Sequence, residues 1–313
     1  MTCDLLILVQ DEFSHFVRKR KKMKKIIVLG GSGLVGSRFL QLSPNLEIDS
    51  PSSSQVNISN FYTLQDYLNS SNADTVINFA AFTNVDKAEE EKDNEEGLVY
   101  KLNVTAAENI AKLCKEVGKH LIHISTDYVF DGTSEVPYKE EDTPGSVNWY
   151  GKTKYLGEQK VLEQDSSFCI ARIEMPYSAK YEVKKDIVRT FLELLKQGKE
   201  INAIFDQKIT PTLSDTICFA LQKLIEFRSS GIYHLSSTDE ITVFVFATLI
   251  AEKFNLDKNL VKRVRFSDYN QTRTAKRPQN TFLDTSKFVQ EFGSGILKTV
   301  SESLDEFKSQ VEG

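Results

Sequence analysis

From Lys24 onward, short apolar runs alternate with turn residues and with segments whose apolar positions recur at helical period. That alternation predicts a parallel sheet covered by helices. "KIIVLG" reads as a first buried strand, "VGSRFLQLS" as the helix after it, and "LEID" at 46–49 as a second strand. "FYTLQDYLNS" is amphipathic and helical, "DTVINFAA" is a strand, and one long helix is expected from about Glu95 to Val117. "HLIHISTDYVF" reads as a strand running into a polar loop, "GKTKYLGEQKVLEQ" as a helix, and "FCIARIEMPYS" as the next strand.

After about Tyr177 the character changes, with no Gly/Ser linker at the boundary. Helices such as "KDIVRTFLELLKQGK" and "LSDTICFALQKLIEF" alternate with short strands such as "GIYHLSS". "ITVFVFATLIAEKFN" is β-branched at its start, but apolar residues at 246, 249, 250 and 254 favour a helix. The expected fold is α/β. A Rossmann-like doubly wound parallel sheet spans residues 23–177, and a smaller C-terminal α/β substrate lobe spans 178–313, with some segments returning to the first domain.

Composition narrows the class. The 313 residues are 40% hydrophobic and 27% charged, as in a soluble globular protein. A net charge of -5 argues against general binding to nucleic acid or to anionic membranes. Cys3, Cys114, Cys169 and Cys218 are far apart, so they read as small core residues in a reducing cytoplasm rather than as a zinc site or disulfides. His15, His120, His123 and His234 show no metal-ligand spacing, and no metal is expected. "LLILV" at 5–9 is too short to span a membrane and its basic residues follow it, so it is neither anchor nor secretory signal. "RKRKK" at 18–22 has the composition of an anion patch, but residues 1–22 read more simply as a disordered extension or a misplaced start before "MKKIIVLGG". The run "KAEEEKDNEE" is read as an acid-rich, solvated helix start.

Candidate chemistry begins at "VLGGSGLVGSRF", where Gly30, Gly33 and Gly36 fall between a predicted strand and a predicted helix. Missing Cβ atoms let a pyrophosphate approach the helix N-terminus, whose free N–H groups and dipole favour negative charge. A tight βα turn without ligand would use the same glycines; the strand, turn and helix order tips the reading to a dinucleotide. Asp49, 13 residues after Gly36, suits the free ribose hydroxyls of NADH, whereas Arg38 suits the extra phosphate of NADPH. The choice stays open between them.

Tyr150 and Lys154 stand one helical turn apart in "YGKTKYLGE", downstream of "STDYVFDG". With the glycine turn, this arrangement resembles the extended short-chain dehydrogenase/reductases, and within them the dTDP-4-dehydrorhamnose reductase family. "VINFAAFTNVDKAEEE", "LNVTAAENIAKLC", "HISTDYVFDG", "PYKEED" and "RPQNTFLDTSKF" carry the likeness from about Lys24 to the C-terminus. The resemblance implies a proton-transfer site of Thr126, Tyr150 and Lys154. Tyr150 would give the proton, Lys154 would lower its pKa and hold the nicotinamide ribose, and Thr126 would hold the carbonyl oxygen. It also implies that Ser32, Leu34, Val35, Asn57, Ala80, Ala81, Thr83 and Asn103 border the cofactor, beside Gly30, Gly33, Gly36 and Asp49. Val85, Asp127, Tyr128, Met175 and Arg277 would meet the substrate. For Asn103 a capping role, for Tyr128 core packing, and for Arg277 and Pro278 the shaping of a loop are the structural alternatives.

The implied activity is reduction of the 4-keto group of a nucleotide-linked 6-deoxyhexose by NADPH or NADH, by a cytoplasmic protein, with a homodimer as the assembly considered. Related dehydratases carry Asp then Glu after the Thr; here Asp127 is followed by Tyr128, so elimination lacks its base. Met175 stands where the reductases have a tryptophan, and "QKITPT" lacks their usual glycine, so the sugar pocket is expected to differ. The chain also resembles the methionine adenosyltransferase regulatory β subunit over much the same length, through "GIYHLSS", "FATLIAEKFN" and "RPQNTFLDTSKF". A non-catalytic, NADP-binding regulatory subunit is therefore one alternative, and a nucleotide-sugar epimerase is another.

Overall fold

The computed structural model describes residues 24–313; the expected disordered extension at 1–22, with "LLILV", "RKRKK", Cys3 and His15, lies outside the described residues. Six parallel strands form the main sheet in the order β10-β5-β4-β3-β1-β2. They are β1 (Lys25–Leu29), β2 (Glu47–Asp49), β3 (Thr75–Asn78), β4 (His120–Thr126), β5 (Cys169–Ile173) and β10 (Gly231–Leu235). Ile26, Ile27, Val28 and Leu29 are all buried, because helices cover both faces of the sheet. β1 pairs with β2 on one side and with β3 on the other. Strand order reverses there, which opens a crevice at the C-terminal ends of β1 and β3.

One face carries α1 (Leu34–Leu42), α8 (Ser214–Phe227) and α11 (Ser286–Phe292), which bury Phe39, Ile217, Leu221 and Phe288 against the strands. The other carries α2 (Phe61–Ser70), α5 (Ala106–Glu116) and α6 (Trp149–Gln164), which bury Leu64, Leu68, Ile110 and Val161. Thus "LSDTICFALQKLIEF" and "GIYHLSS", which follow the change of character at Tyr177, return to the first layer as α8 and β10.

A second core gathers Tyr177, Leu192, Ile204, Phe246, Ile250, Leu304 and Phe307. It is built from α7 (Ile187–Lys196), α9 (Val243–Lys253), α10 (Phe266–Gln271) and α12 (Val300–Glu312) with three two-stranded pairs. Those pairs are β6 (Pro176–Tyr177) with β9 (Thr212–Leu213), β7 (Ile201–Ile204) with β12 (Val261–Val264), and β8 (Lys208–Ile209) with β11 (Ile241–Thr242). The ambiguous "ITVFVFATLIAEKFN" divides at Thr242, whose side chain accepts from the Val245 N–H and starts α9.

Two predicted elements depart from regular geometry. "FCIARIEMPYS" splits into β5 and β6 because Met175 takes a left-handed φ of 38°, rare for a side chain of its size. The helix expected from about Glu95 to Val117 runs from Leu98 to Glu116 as α4 (Leu98–Tyr100), a π-helical turn at Lys101–Thr105 and α5, and the short α3 (Val85–Glu89) precedes it. Such a turn re-aims side chains, and here it presents Asn103 to α6. Asn103 Nδ2 donates to Thr153 Oγ1 at 3.1 Å, while the Asn103 carbonyl lies where a Cβ on Gly157 would stand, 2.2 Å away.

A mid-helix glycine replaced by alanine ordinarily gains up to about 1 kcal/mol of stability. At Gly157 the opposite is expected: Gly157→Ala should lose about 1–3 kcal/mol in urea unfolding, because the methyl group must push α6 off the π-helical turn. A variant more stable than the parent would disprove the close contact.

Candidate active site

The crevice holds a cavity of about 1150 Å³. Pockets for single small ligands span roughly 300–1,000 Å³, so there is room for a dinucleotide and part of a second ligand. Its floor is the turn after β1. Gly30 has φ 78°, and a Cβ on it would lie 2.5 Å from the Ala80 nitrogen; a Cβ on Gly36 would lie 2.6 Å from the Gly30 carbonyl. The turn is therefore folded flat against the segment after β3. The cap residue Gly33 supplies no side chain to the first turn of α1, which leaves its N–H groups directed to the cavity for an anion. These features fit a pyrophosphate without rearrangement.

Of the residues expected at the cofactor, Gly30, Ser32, Gly33, Leu34, Val35, Gly36, Asn57, Ala80, Ala81, Thr83, Tyr150 and Lys154 line the cavity. Thr126, Asp127, Tyr128, Val85 and Met175 line it too, on the side expected for substrate. Asp49, Asn103 and Arg277 do not. Ser50, Pro51, Ser52 and Ser53 line the cavity after β2, whereas Asp49 faces the Tyr67 phenol, whose ionisation burial and the Asp49 carboxylate oppose. Asn103 acts as a clamp: its Oδ1 accepts the Phe82 N–H at 2.8 Å and its Nδ2 donates to the Phe82 carbonyl at 3.2 Å. It holds the Ala80–Thr83 segment and α6 together from behind. Arg277 grips Asp86 with both terminal nitrogens, at 3.0 and 2.8 Å, and so braces α3 behind Val85. Arg38 is likewise spent, donating to both oxygens of Asp215 at 2.7 and 2.5 Å.

Local sequence explains how the reactive side chains arrive. Asn148 caps α6 by accepting the Gly151 N–H at 2.9 Å, and its Nδ2 donates to the Lys276 carbonyl at 2.8 Å. Tyr150 thus falls in the first turn and Lys154 in the next. Gly151 lets the helix approach the end of β4: a Cβ there would lie 2.0 Å from the Tyr128 carbonyl. As a result the Tyr128 and Tyr150 rings meet edge to face, with centroids 5.9 Å apart. Thr126 Oγ1 accepts the Tyr128 N–H at 3.3 Å and donates to Asp127 Oδ1 at 2.8 Å.

Electrostatics follows from burial. The Tyr150 phenol is pushed up to about 12 by burial; the Thr126 hydroxyl pulls it down and the Asp127 charge pushes it up again. Burial lowers Lys154 to about 8, against the opposing pull of Glu158. The phenol answers to burial, Thr126 and Asp127 and not, as expected, to Lys154. The Lys154 amine is held by β4, donating to the Ile124 carbonyl at 2.7 Å, and Thr126 is the group that eases ionisation of Tyr150. Asp127 and Glu174 are buried together, and each is raised, first by burial; Glu174, held by the Thr210 and Thr281 hydroxyls, reaches about 7.

Several lining residues carried no clear signal in the chain. Ser50–Ser53 follow β2 in a polar run that turn chemistry could have marked; Tyr181, Lys184 and Lys185 reach the cavity from the loop after β6. The cysteines at 114, 169 and 218 are free and buried, with burial raising all three thiols. Among the described residues no group of His, Cys, Asp and Glu side chains is disposed to hold a metal, and no helix is long and apolar enough to cross a membrane.

Comparison with known proteins bears on the same region. A family profile described as the RmlD substrate binding domain matches residues 23–311. The dTDP-4-dehydrorhamnose reductase of Escherichia coli (strain K12) is 34% identical over 229 residues, covering 70% of this chain and 74% of that protein. Methionine adenosyltransferase 2 subunit beta of Pongo abelii is 30% identical over 279 residues, covering 84% and 81%. The crystal structure of dTDP-4-dehydrorhamnose reductase from Bacillus anthracis in complex with NADP superposes with a TM-score of 0.84 at 30% identity, over 92% of this chain and 99% of that one. A dTDP-glucose 4,6-dehydratase of the same organism, at 16% identity and a TM-score of 0.74, shares the fold.

The carboxyl pair gives a stability signature. An acid whose folded pKa is raised binds more protons folded than unfolded, so its contribution is full below the unfolded value and is lost as pH rises. For Glu174 that loss spans its ordinary value of 4.5 to about 7. Across this window the unfolding free energy of the parent should fall more steeply than that of Glu174→Gln in urea titrations; equal slopes would refute the assignment.

Proposed function

Because the chain belongs to the RmlD substrate-binding-domain family, we propose that it is an NAD(P)H-dependent oxidoreductase that reduces the 4-keto group of a nucleotide-linked 6-deoxyhexose. One observation carries this reading: Thr126, Tyr150 and Lys154 line the same cavity as the Gly30–Gly36 turn. The relative from Bacillus anthracis was solved with NADP, and the glycine turn here fits the same class of ligand. The reading covers NADPH and NADH alike, since Arg38 is committed to Asp215 and Asp49 faces Tyr67.

Bound nicotinamide cofactor supplies a hydride; the rest is done by side chains of this chain. Gly30, Gly33 and Gly36 bring the N-terminus of α1 to the pyrophosphate. Thr126 Oγ1 is positioned by its bond to Asp127 and, by turning its single proton from Asp127 to the carbonyl oxygen when substrate binds, shares that oxygen with Tyr150. Tyr150 Oη delivers the proton to that oxygen as negative charge develops on it. Lys154 holds the ribose hydroxyls. Asp127, Tyr128, Val85 and Met175 border the hexose, and with Tyr128 directly after Asp127 the position of the dehydratases' glutamate holds no acid.

A second reading is favoured by the similarity to the methionine adenosyltransferase β subunit over 84% of this chain. It would be a dinucleotide-binding regulatory subunit using the same cavity. Loss of absorbance on mixing the protein with NADPH or NADH and dTDP-4-keto-6-deoxyhexose supports the reductase. An inert protein that binds NADPH and co-purifies with a methionine adenosyltransferase catalytic subunit supports the second reading instead.

Within the reductase reading, Tyr150→Phe should retain NADPH affinity in fluorescence titration and lose about 10²–10⁴-fold in turnover. Undiminished turnover would exclude Tyr150 as the proton donor.

A further inference from the structure

Behind Thr126, the ends of β4 and β5 carry two acids, one of which the proposed reaction does not use. Thr126 of β4 is the register partner of Ile173 of β5, so Asp127 and Glu174 leave the two strands side by side. Asp127 is 4% exposed and lines the cavity, whereas Glu174 is fully buried and does not. The two carboxyls are not held alike. Each oxygen of Glu174 takes a threonine hydroxyl: Thr281 Oγ1 donates to Oε1 at 2.8 Å, and Thr210 Oγ1 donates to Oε2. The Leu283 N–H donates into Thr210 Oγ1 at 3.3 Å, which leaves the hydroxyl proton for Glu174. The Thr281 N–H donates to the Lys208 carbonyl at 3.1 Å and fixes the second threonine. Asp127 has Thr126, which donates to its Oδ1 at 2.8 Å, and that single proton is the one a substrate oxygen requires. Thr281 also lies near Asp127, but its one proton is directed to Glu174.

We propose that Glu174 is a positioning residue: as the acceptor of two threonine hydroxyls it carries the negative charge of the pair and leaves the proton on Asp127, which frees Thr126 to turn toward the substrate oxygen. Two adjacent buried carboxyls do not both ionise, and the one whose anion has more donors ionises first. That one is Glu174. A protonated Asp127 has an O–H to give, and Thr126 Oγ1 keeps a lone pair beside the one that takes the Tyr128 N–H at 3.3 Å. Donors then run one way, from Asp127 to Thr126 and from Thr126 to the substrate oxygen. An ionised Asp127 would do the reverse, drawing the Thr126 proton to itself, because a buried anion that loses a donor is costly. Its charge would also oppose ionisation of Tyr150. Asp127 keeps its proton throughout; Tyr150 is the group that gives one up.

Charged and titratable groups on the surrounding elements have partners of their own. From α6, Lys154 donates to the Ile124 carbonyl at 2.7 Å, and the Tyr150 ring meets that of Tyr128. On β5, Arg172 donates to both oxygens of Glu158 at 2.9 and 2.7 Å. Lys208 of β8 reaches the Glu135 carbonyl at 3.3 Å. In the late chain Arg277 grips Asp86, and Asp284 accepts the Ser286 N–H at 2.7 Å. The acids themselves agree in direction: burial raises both, and the Glu174 charge adds to the rise of Asp127.

The effect on Thr126 rests on the reductase reading; the place of the proton does not, so the two fail separately. In full-length protein with ¹³C-labelled aspartate and glutamate, the two carboxyl signals are assigned by their loss in Asp127→Asn and Glu174→Gln. Asp127 should stay protonated to higher pH than Glu174. In Glu174→Gln the Asp127 titration should fall by about one pH unit or more, because the charge that holds its proton is gone. An Asp127 that ionises before Glu174 in the parent overturns the proposal even if the variant fails to fold. An Asp127 titration unmoved in folded Glu174→Gln overturns it too. With NADPH and dTDP-4-keto-6-deoxyhexose, Glu174→Gln should lose about tenfold in kcat at about pH 8 and recover toward the parent as pH falls, with KM for NADPH unchanged. A loss equal at every pH would make Glu174 merely structural and refute its positioning role. A parent protein that reduces no keto sugar would count against the reductase reading, and the ¹³C titrations would still decide where the proton lies.

Discussion

The site depends on how closely α6 approaches two backbone carbonyls. The Tyr128 and Asn103 carbonyls lie within 2.0 and 2.2 Å of where Cβ atoms on Gly151 and Gly157 would be. With any side chain at either position the helix would stand off, and Tyr150 and Lys154 would retreat from the ends of β1, β3 and β4. Gly157 is a buried interior position of α6 and Gly151 lies in its first turn, where glycine is a poor helix former. The helix is held by its cap at Asn148, by the clamp from Asn103, and by burial of Trp149 and Val161.

The same approach fixes the electrostatics. Once α6 is seated, Lys154 is withdrawn from water, and its partners are a carbonyl and a neutral imidazole rather than a carboxylate. Uncompensated burial of a charge is costly, so the amine is shifted toward its neutral form. Glu158 and Arg172 show the other outcome for buried ions: a two-point pair, with Arg172 also against the Phe130 ring and His234. Beside the cavity, Asp127 and the fully buried Glu174 meet with hydroxyls between them, and both favour protonation.

Several residues with the look of ligand contacts serve as braces. Arg38 ties α1 to α8, Arg277 ties the late chain to α3, and Asn103 ties α6 to the segment after β3. Arginine suits this work because its planar fork meets both oxygens of one carboxylate. Each brace stands just behind residues that do line the cavity, so its loss would disturb ligand contacts without touching a ligand.

Read alone, the chain determined the order of strands and helices, the glycine turn, and the spacing of Tyr150 and Lys154, because these follow from local period and from steric demands felt within a few residues. It also marked the family through motifs in order. The break at Met175 and the π-helical turn at Lys101–Thr105 were not legible, since each answers to a neighbour far along the chain. Nor was the return of α8 and β10 to the main sheet spelled out, because their apolar faces suit either core. The tertiary structure alone decided that Arg38 meets Asp215, 177 residues away, and that Arg277 meets Asp86, 191 away. A side chain's hydrogen-bond partner depends on what the fold brings opposite it, and residue type by itself states only what the side chain is able to donate or accept.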